Sequence, residues 1–200
     1  MPAPRSRTTD KRYYGIVEGI VVENEDPEGE GRIRVKFPWF SEDEISDWCR
    51  VAQLYAGGGY GSLFVPEIDD EVFVIFVHGD MRLPVVVGGA YNGVDKPPSA
   101  RTSSVDQKLI RTRAGHQIVL DDSAGSEAVT VETAGGHTVT LDDAGATITV
   151  ETSGGNRIEL DDGSGTISIT ATTKLVLEAP QIEIAGSTSV AVSGGQVRLN

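Results

Sequence analysis

The sequence predicts an all-β chain in two parts, a small closed barrel followed by a repetitive β-helix. Three observations carry that expectation. The first is a repeat. AGHQIVLDD (114–122), GGHTVTLDD (135–143) and GGNRIELDD (154–162) are near copies, with opening glycines at Gly115, Gly136 and Gly155 spaced 21 and then 19 residues apart. A fixed period of this size marks stacked copies of one small unit, each burying a face on the next. The second is the strict alternation of apolar and polar residues within each copy, which is the periodicity of a strand and not of a helix. The third is the aromatic distribution: all twelve Phe, Tyr and Trp residues lie between Tyr13 and Tyr91. These observations divide the chain into an arm (1–12), a barrel (13–93), a linker (94–108) and a β-helix (109–200).

Residues 1–12, MPAPRSRTTDKR, hold four basic residues with no apolar run behind them. They read as a flexible basic arm and not as a signal peptide, so assembly in the cytoplasm is expected, and no segment approaches the eighteen apolar residues of a membrane-spanning helix. Tyr14 to Glu23 reads as the first strand, with Gly15 and Gly19 as candidate bulges. NEDPEGEG (24–31) is a turn. Arg32 to Phe37 alternates strictly and stops at Pro38, which cannot donate to a ladder. Asp47 to Leu54 is a third strand, AGGGYG (56–61) a mobile glycine-rich loop, and Phe64–Val65 a short strand ending at Pro66. Glu71 to His78 and Leu83 to Val87 follow, joined through HGDMR (78–82) as a hairpin. Short strands at this spacing predict a closed barrel of the oligonucleotide/oligosaccharide-binding (OB) type.

Several motifs invite a chemical reading. Arg32, Arg34 and Lys36 share a strand face and Tyr55 and Tyr60 flank a loop, the ingredients of a single-strand nucleic-acid groove. The competing reading makes the basic residues a solvated face and the aromatics core filling. The acidic turn at Glu23, Glu25, Asp26, Glu28 and Glu30 and the net charge of −13 oppose a polyanion, so no nucleic-acid partner is expected. AGGGYG lacks the Gly-Lys-Ser/Thr ending of a phosphate loop and the spaced glycines of a dinucleotide fingerprint. Cys49 is the sole cysteine, which excludes an intrachain disulfide and fits a reducing compartment.

The segment Val22 to Trp39, VENEDPEGEGRIRVKFPW, resembles the signature of phage baseplate protein V and of VgrG-type spike proteins. Trp48–Ala52, Ala56–Pro66, Asp70–Phe76, Gly79–Asp80, Pro84–Gly88 and Tyr91–Gly93 continue the resemblance in order, over about residues 14–95. It implies an OB barrel followed by a trimeric β-helix, together forming the central spike of a contractile tail or injection system. Longer members begin with tail-hub domains for which this chain has no room, so the resemblance implies a separate hub protein. Some members insert a lysozyme between barrel and helix; VDKPPSARTSSVDQK (94–108) is too short to hold one.

In the repeat the alternate residues are aliphatic: Ile118 and Leu120, Val129 and Val131, Val139 and Leu141, Ile148 and Val150, Ile158 and Leu160, Ile167 and Ile169. The alternation continues through Leu175 and Leu177, Ile182 and Ile184, Val190 and Val192, Val197 and Leu199. Ten strands per chain are expected, spanning on the order of 50 Å. A single-chain solenoid would have to fill its own interior with two or three aliphatics per strand. Three intertwined chains would share one narrow core and pair every strand edge with a neighbour, and the resemblance favours this intertwined homotrimer. Its expected core is Ile118, Leu120, Val139, Leu141, Ile158, Leu160, Ile167, Ile169, Leu175, Leu177, Ile182 and Ile184.

The pairs Asp121/Asp122, Asp142/Asp143 and Asp161/Asp162 could serve acid–base work or bind a hard cation. Their Gly- and Ala-rich sequels read instead as turns, and the GGxGxD pattern of calcium repeats is absent. His116 and His137 sit at equivalent positions, where the third copy has Asn156, and read as hydrogen-bonding residues and not as metal ligands. No catalytic residue, cofactor site or metal site is expected. The function expected is mechanical: a trimeric spike joining hub to tip and making transient contact with the target envelope. The alternatives are a carbohydrate-binding or carbohydrate-processing β-helix and an OB nucleic-acid binder. Spikes of this family often end in a histidine-rich metal tip, and no histidine follows His137. A separate PAAR-type cap is therefore expected on Val197, Arg198, Leu199 and Asn200.

Overall fold

The computed structural model describes residues 12–41, 44–99 and 106–198. The expected basic arm, apart from Arg12, and Leu199 and Asn200 lie outside the described residues. The chain divides into two compact units between Ser99 and Ala100, and among the described residues all regular structure is β apart from one short 3-10 turn.

The first unit is built on strands β1 (Ile16–Glu23), β2 (Arg34–Lys36), β3 (Arg50–Val51), β4 (Ala56–Gly57), β5 (Tyr60–Gly61), β6 (Glu71–Phe76) and β7 (Pro84–Gly89). The main sheet runs β2-β1-β6-β7-β3, antiparallel except for the parallel pair β3–β7. Reciprocal backbone hydrogen bonds between Ile33 and Cys49, at 3.0 and 2.7 Å, return the segment before β3 to β2. That bridge closes the sheet into a barrel. Its inward residues form one core: Val21, Ile33, Val35, Phe37, Cys49, Val72, Val74, Phe76 and Val86.

The details differ from the sequence reading in four places, the first being the third strand, expected over Asp47 to Leu54 and formed only by Arg50–Val51. The register shift in β1 falls between Val21 and Glu23 and not at Gly15 or Gly19; Gly19 pairs regularly with Val72. Gly19 is instead a close approach, because a Cβ there would lie 3.3 Å from the Lys36 carbonyl oxygen. AGGGYG is a two-stranded antiparallel ribbon, β4–β5. Phe64–Val65 forms no strand.

The second unit is a single antiparallel meander of β8 (Gln107–Arg111), β9 (Gln117–Asp121), β10 (Ala128–Glu132), β11 (Thr138–Asp142), β12 (Thr147–Glu151), β13 (Arg157–Asp161) and β14 (Thr166–Thr170). The repeating unit is thus a β-hairpin. Seven strands at the usual spacing span about 29 Å. Between β8 and β14 each strand edge is paired within the chain, not by a neighbouring chain as the intertwined reading had it.

The meander stops after Thr170, and Leu175, Leu177, Ile182, Ile184, Val190, Val192 and Val197 lie in no strand. The reason is local chemistry. Each hairpin on one side of the sheet turns through the same device. Thr112, Thr133 and Thr152 accept N–H bonds from Gly115, Gly136 and Gly155 at 2.9 Å and bond the residue four positions on. Those glycines take φ of +96°, +80° and +84°, a left-handed conformation that glycine adopts without strain. After β14 the corresponding stretch, ATTKLV (171–176), offers no glycine. Apolar alternation continues there, but the turn that would fold it back on the sheet is missing.

Candidate functional site

The largest organised feature outside the barrel core is one face of the second sheet. Cross-strand pairing lines up the aliphatic residues in two unbroken columns. One runs Ile110, Ile118, Val131, Val139, Val150, Ile158, Ile169. The other runs Lys108, Leu120, Val129, Leu141, Ile148, Leu160, Ile167 through the same pairings. Thirteen of the fourteen positions are aliphatic, and the thirteen retain between 36% and 71% of their surface exposed. No described segment of the unit covers them. The opposite face carries Leu109, Val119, Thr130, Thr140, Thr149, Glu159 and Ser168 in its central column, polar from β10 onward as a solvated sheet face is.

Of the expected core residues, Ile118, Leu120, Val139, Leu141, Ile158, Leu160, Ile167 and Ile169 all sit on the bare aliphatic face. Leu175, Leu177, Ile182 and Ile184 are exposed in the segment beyond β14. Val197 and Arg198 are likewise exposed and outside any strand. Lys108 is the exception in its column: its ammonium reaches the Asp122 carboxylate at 2.7 Å and the Asp106 carbonyl at 3.1 Å.

The aspartate pairs are turn residues. Asp121 accepts the Ser123 N–H at 2.9 Å, Asp142 the Gly145 N–H at 2.7 Å, and Asp161 the Ser164 N–H and hydroxyl at 3.1 and 2.8 Å. These bonds favour the charged form, so the carboxyls of Asp121 and Asp161 are held below the usual range, first by Ser123 and Ser164. No group of three or more metal-ligating side chains occurs among the described residues.

His116 and His137 join successive turns. The Ala134 N–H donates to His116 Nδ1 and the Ser153 N–H to His137 Nδ1, both at 3.2 Å, while the Thr172 N–H donates to Asn156 Oδ1 at 3.0 Å. One acceptor per repeat ties each hairpin turn to the next. Asn serves as well as His because the position requires an acceptor and not a titrating ring.

On the barrel, the basic strand is neutralised from within. Asp26, its side chain 2% exposed, accepts backbone N–H bonds from Glu28, Glu30 and Arg32 at 3.0, 3.0 and 3.2 Å. It also receives Arg32 Nε and Nη2 at 2.9 and 2.8 Å. Chiefly through Arg32, its carboxyl is held far below the ordinary range. Arg34 pairs with Glu23 at 2.9 Å and donates to the Ser46 carbonyl, and both guanidinium groups lie about 6 Å from the Trp48 ring centre. Arg32 and Arg34 are therefore braces of the acidic turn, and the basic-groove reading fails at these residues. The sequence places Asp26 only among the acids of the turn; its bridge to Arg32 has its signal in DPEGEGR, an acid followed by two turn glycines and an arginine.

Tyr55 and Tyr60 do not fill the core. They are 63% and 61% exposed and pack on each other with ring centres 5.3 Å apart. A Cβ on Gly57 would overlap the Tyr60 ring, so that glycine is fixed by packing. Cys49 lies in the core beside the Ser46 hydroxyl at 3.1 Å, and burial pushes its thiol up to about 11. Such a thiol is no nucleophile near neutrality. Among the described residues no helix is long and apolar enough to cross a membrane.

Comparison with known proteins follows the same division. Residues 17–91 match the type VI secretion system/phage-baseplate injector OB domain, and residues 107–150 match the phage baseplate V C-terminal trimerisation domain. The chain is 34% identical over 131 residues to the type VI secretion system spike protein VgrG2a of Pseudomonas aeruginosa, a match covering 61% of this chain and 15% of that protein. It is 37% identical over 91 residues to the spike protein VgrG3 of Vibrio cholerae, covering 44% and 9%. It is 34% identical over 102 residues to the actin cross-linking toxin VgrG1 of the same species, covering 46% and 9%. The chain thus spans a small part of the relatives it matches.

Proposed function

We propose that this chain, whose matched segments belong to the injector OB and baseplate V trimerisation families, forms the homotrimeric central spike of a contractile tail or injection-system baseplate. The observation that carries the proposal is the pair of aliphatic columns left bare across all seven strands of the meander. A continuous apolar face of this kind on a folded chain marks an interface. Three such faces packed about a common axis give a dry prism in which each chain supplies one wall and the threonine-rich face meets solvent. The match to a trimerisation domain supports three copies over two. The role is mechanical, with no catalytic residue assigned: an actin cross-linking activity belongs to a relative that this chain matches over 9% of that protein's length.

In this reading residues 171–198 change partners. They continue the apolar alternation with no strand pairing in their own chain, so in the trimer their backbone groups pair between chains. Intertwining is thereby confined to the segment past β14. A hub on the barrel side, a PAAR-type cap on the 196–200 side and transient contact with a target envelope complete the proposed set of partners. The particle is tail-like and is assembled in the cytoplasm.

The test is mass in solution. A species of about three times 21.2 kDa, with backbone amides of 171–198 protected from hydrogen exchange, is expected. A monomer would overturn the spike reading, and a trimer with unprotected 171–198 would overturn the interchain pairing alone. Deleting residues 196–200 is expected to abolish capture of a PAAR-type protein while leaving the mass trimeric; undiminished capture would place the cap contact elsewhere.

A further inference from the structure

The barrel carries a second uncovered apolar surface that neither matched family description assigns. It is the β4–β5 ribbon and its two roots. Leu54 is 94% exposed, Leu63 74% and Phe64 56%, alongside the stacked pair Tyr55 and Tyr60. The ribbon is an ordered arm and not a slack loop. At its base the Gln53 side chain donates to the Phe64 carbonyl at 3.1 Å and accepts the Phe64 N–H at 3.0 Å. The Ser62 N–H donates to the Tyr55 carbonyl at 2.8 Å. The Tyr60 ring lies across Gly57, and Gly61 is held at φ of +145° against the Tyr55 carbonyl. Beside the root, Val51, Leu54, Phe64, Val65, Val86 and Val87 line a shallow, mainly apolar groove with one carboxylate, Asp70, in its wall. Backbone and side-chain hydrogen bonds are thus committed to holding large apolar groups out in water, which solvent alone gives no reason to do.

Charge decides what covers this surface. From Ala52 to Pro66, fifteen residues, the chain has no charged side chain, although residues 1–108 carry eighteen acidic groups and a net charge of −6. Two copies of an acidic module repel one another wherever their acidic faces meet; the neutral ribbon is the face on which identical copies approach without that penalty. Leu54 and Phe64 belong to the groove, whereas the stacked Tyr55 and Tyr60 lie outside its lining, so the tyrosine pair of one copy can seat in the groove of the next, and such a head-to-tail contact repeated under three-fold symmetry closes into a ring. We infer that the β4–β5 ribbon is a second trimer contact, seated on the barrel of a neighbouring copy of this chain. The inference rests on the trimer proposed above.

The experiment reads thiol labelling in the full chain. Leu54→Cys places a thiol on the ribbon at a side chain that makes almost no contact within its own chain. Glu28→Cys places one on the acidic turn as an open reference, and native Cys49, buried in the core, stays silent. In a chain whose mass is trimeric, maleimide labelling of Leu54→Cys is expected to be slower than that of Glu28→Cys by about tenfold or more, since a covered thiol reacts only when the contact opens. Adding Ile158→Asp, which removes the meander interface, is expected to restore fast labelling. A trimer in which Leu54→Cys labels as fast as the reference overturns the inference and leaves the spike reading intact; the ribbon is then free for a different protein. Protection that persists in the Ile158→Asp monomer places the cover within the chain and also overturns it. A monomeric parent chain removes the trimer reading, and this inference with it.

Discussion

Ile158→Asp tests the assignment of the aliphatic face most directly. Ile158 sits inside its column, between Val150 and Ile169 across the ladder, and keeps 43% of its surface exposed in the single chain. Fully burying such a side chain contributes ~1.5–3 kcal/mol, so covering the remainder contributes about 1 kcal/mol per chain. The substitution loses that term three times. It also places three carboxylates in a dry seam, each costing several kcal/mol when unpaired. The total is on the order of 10 kcal/mol per trimer, comparable with the whole stability of an ordinary domain. The control is one residue away. Arg157 points to the other face, opposite Glu151 at 3.2 Å and beside Glu159, and a half-exposed ion pair of this kind contributes ~0–1 kcal/mol. Sedimentation equilibrium over a range of concentrations should give a monomer for Ile158→Asp and a trimer for Arg157→Ala. Equal masses for the two variants would refute the assigned register, because a slip of one residue exchanges their faces.

Further outcomes follow from the turns and the acidic loop. Ala146 takes φ of +52° where the equivalent hairpins have Gly125 and Gly165; Ala146→Gly should raise stability by up to ~1 kcal/mol per chain, and a lower melting temperature would refute strain there. His137→Asn should preserve the melting temperature, since Asn156 does the same work in the third repeat, whereas His137→Ala leaves the Ser153 N–H without its acceptor and should cost ~1 kcal/mol; equal losses would show that the acceptor is idle. Asp26 and Asp80 have folded-state pKa values below their unfolded ones, Asp80 at about 2 through Arg82. Their stabilisation is complete above an ordinary carboxylate pKa of about 3.9 and is lost as pH falls through the folded values. Asp26→Asn should therefore flatten the acid limb of the barrel's stability between about pH 4 and 2; an unchanged limb would count against the Arg32 bridge.

How much was legible can be judged residue by residue. The period-2 alternation of Ile118, Leu120 and their successors was sufficient to assign strands and to say which residues share a face, because a strand has only two faces. It could not say which chain supplies the neighbouring strand, since backbone pairing leaves no mark on side-chain pattern. That information lay in the turns. Threonine, glycine and an acceptor recur at Thr112–His116, Thr133–His137 and Thr152–Asn156, and the recurrence breaks at Thr172. The end of the meander was therefore written in the sequence as a missing glycine, while the aliphatic pattern ran on past it. In the barrel the long strands were visible, Phe64–Val65 was not a strand, and the ribbon was missed: AGGGYG reads as slack until the Tyr60 ring is seen lying over Gly57.

The same break explains how one chain can carry two modes of assembly. Where hairpin turns exist, strand edges are satisfied within the chain, and only the flat aliphatic face is left for other copies. Copies meeting through faces alone can part without breaking a backbone hydrogen bond. Where the turns cease, the edge groups themselves are left for other copies, and parting them breaks a ladder. In the proposed trimer the meander would give each copy a wall able to fold before assembly, and the segment beyond it would fold as the copies wind together. A spike of that design, loaded along its axis, would benefit from that order. The preformed walls would set the register of three chains over about 29 Å, and the distal segment would then lock it so that no single strand can peel away.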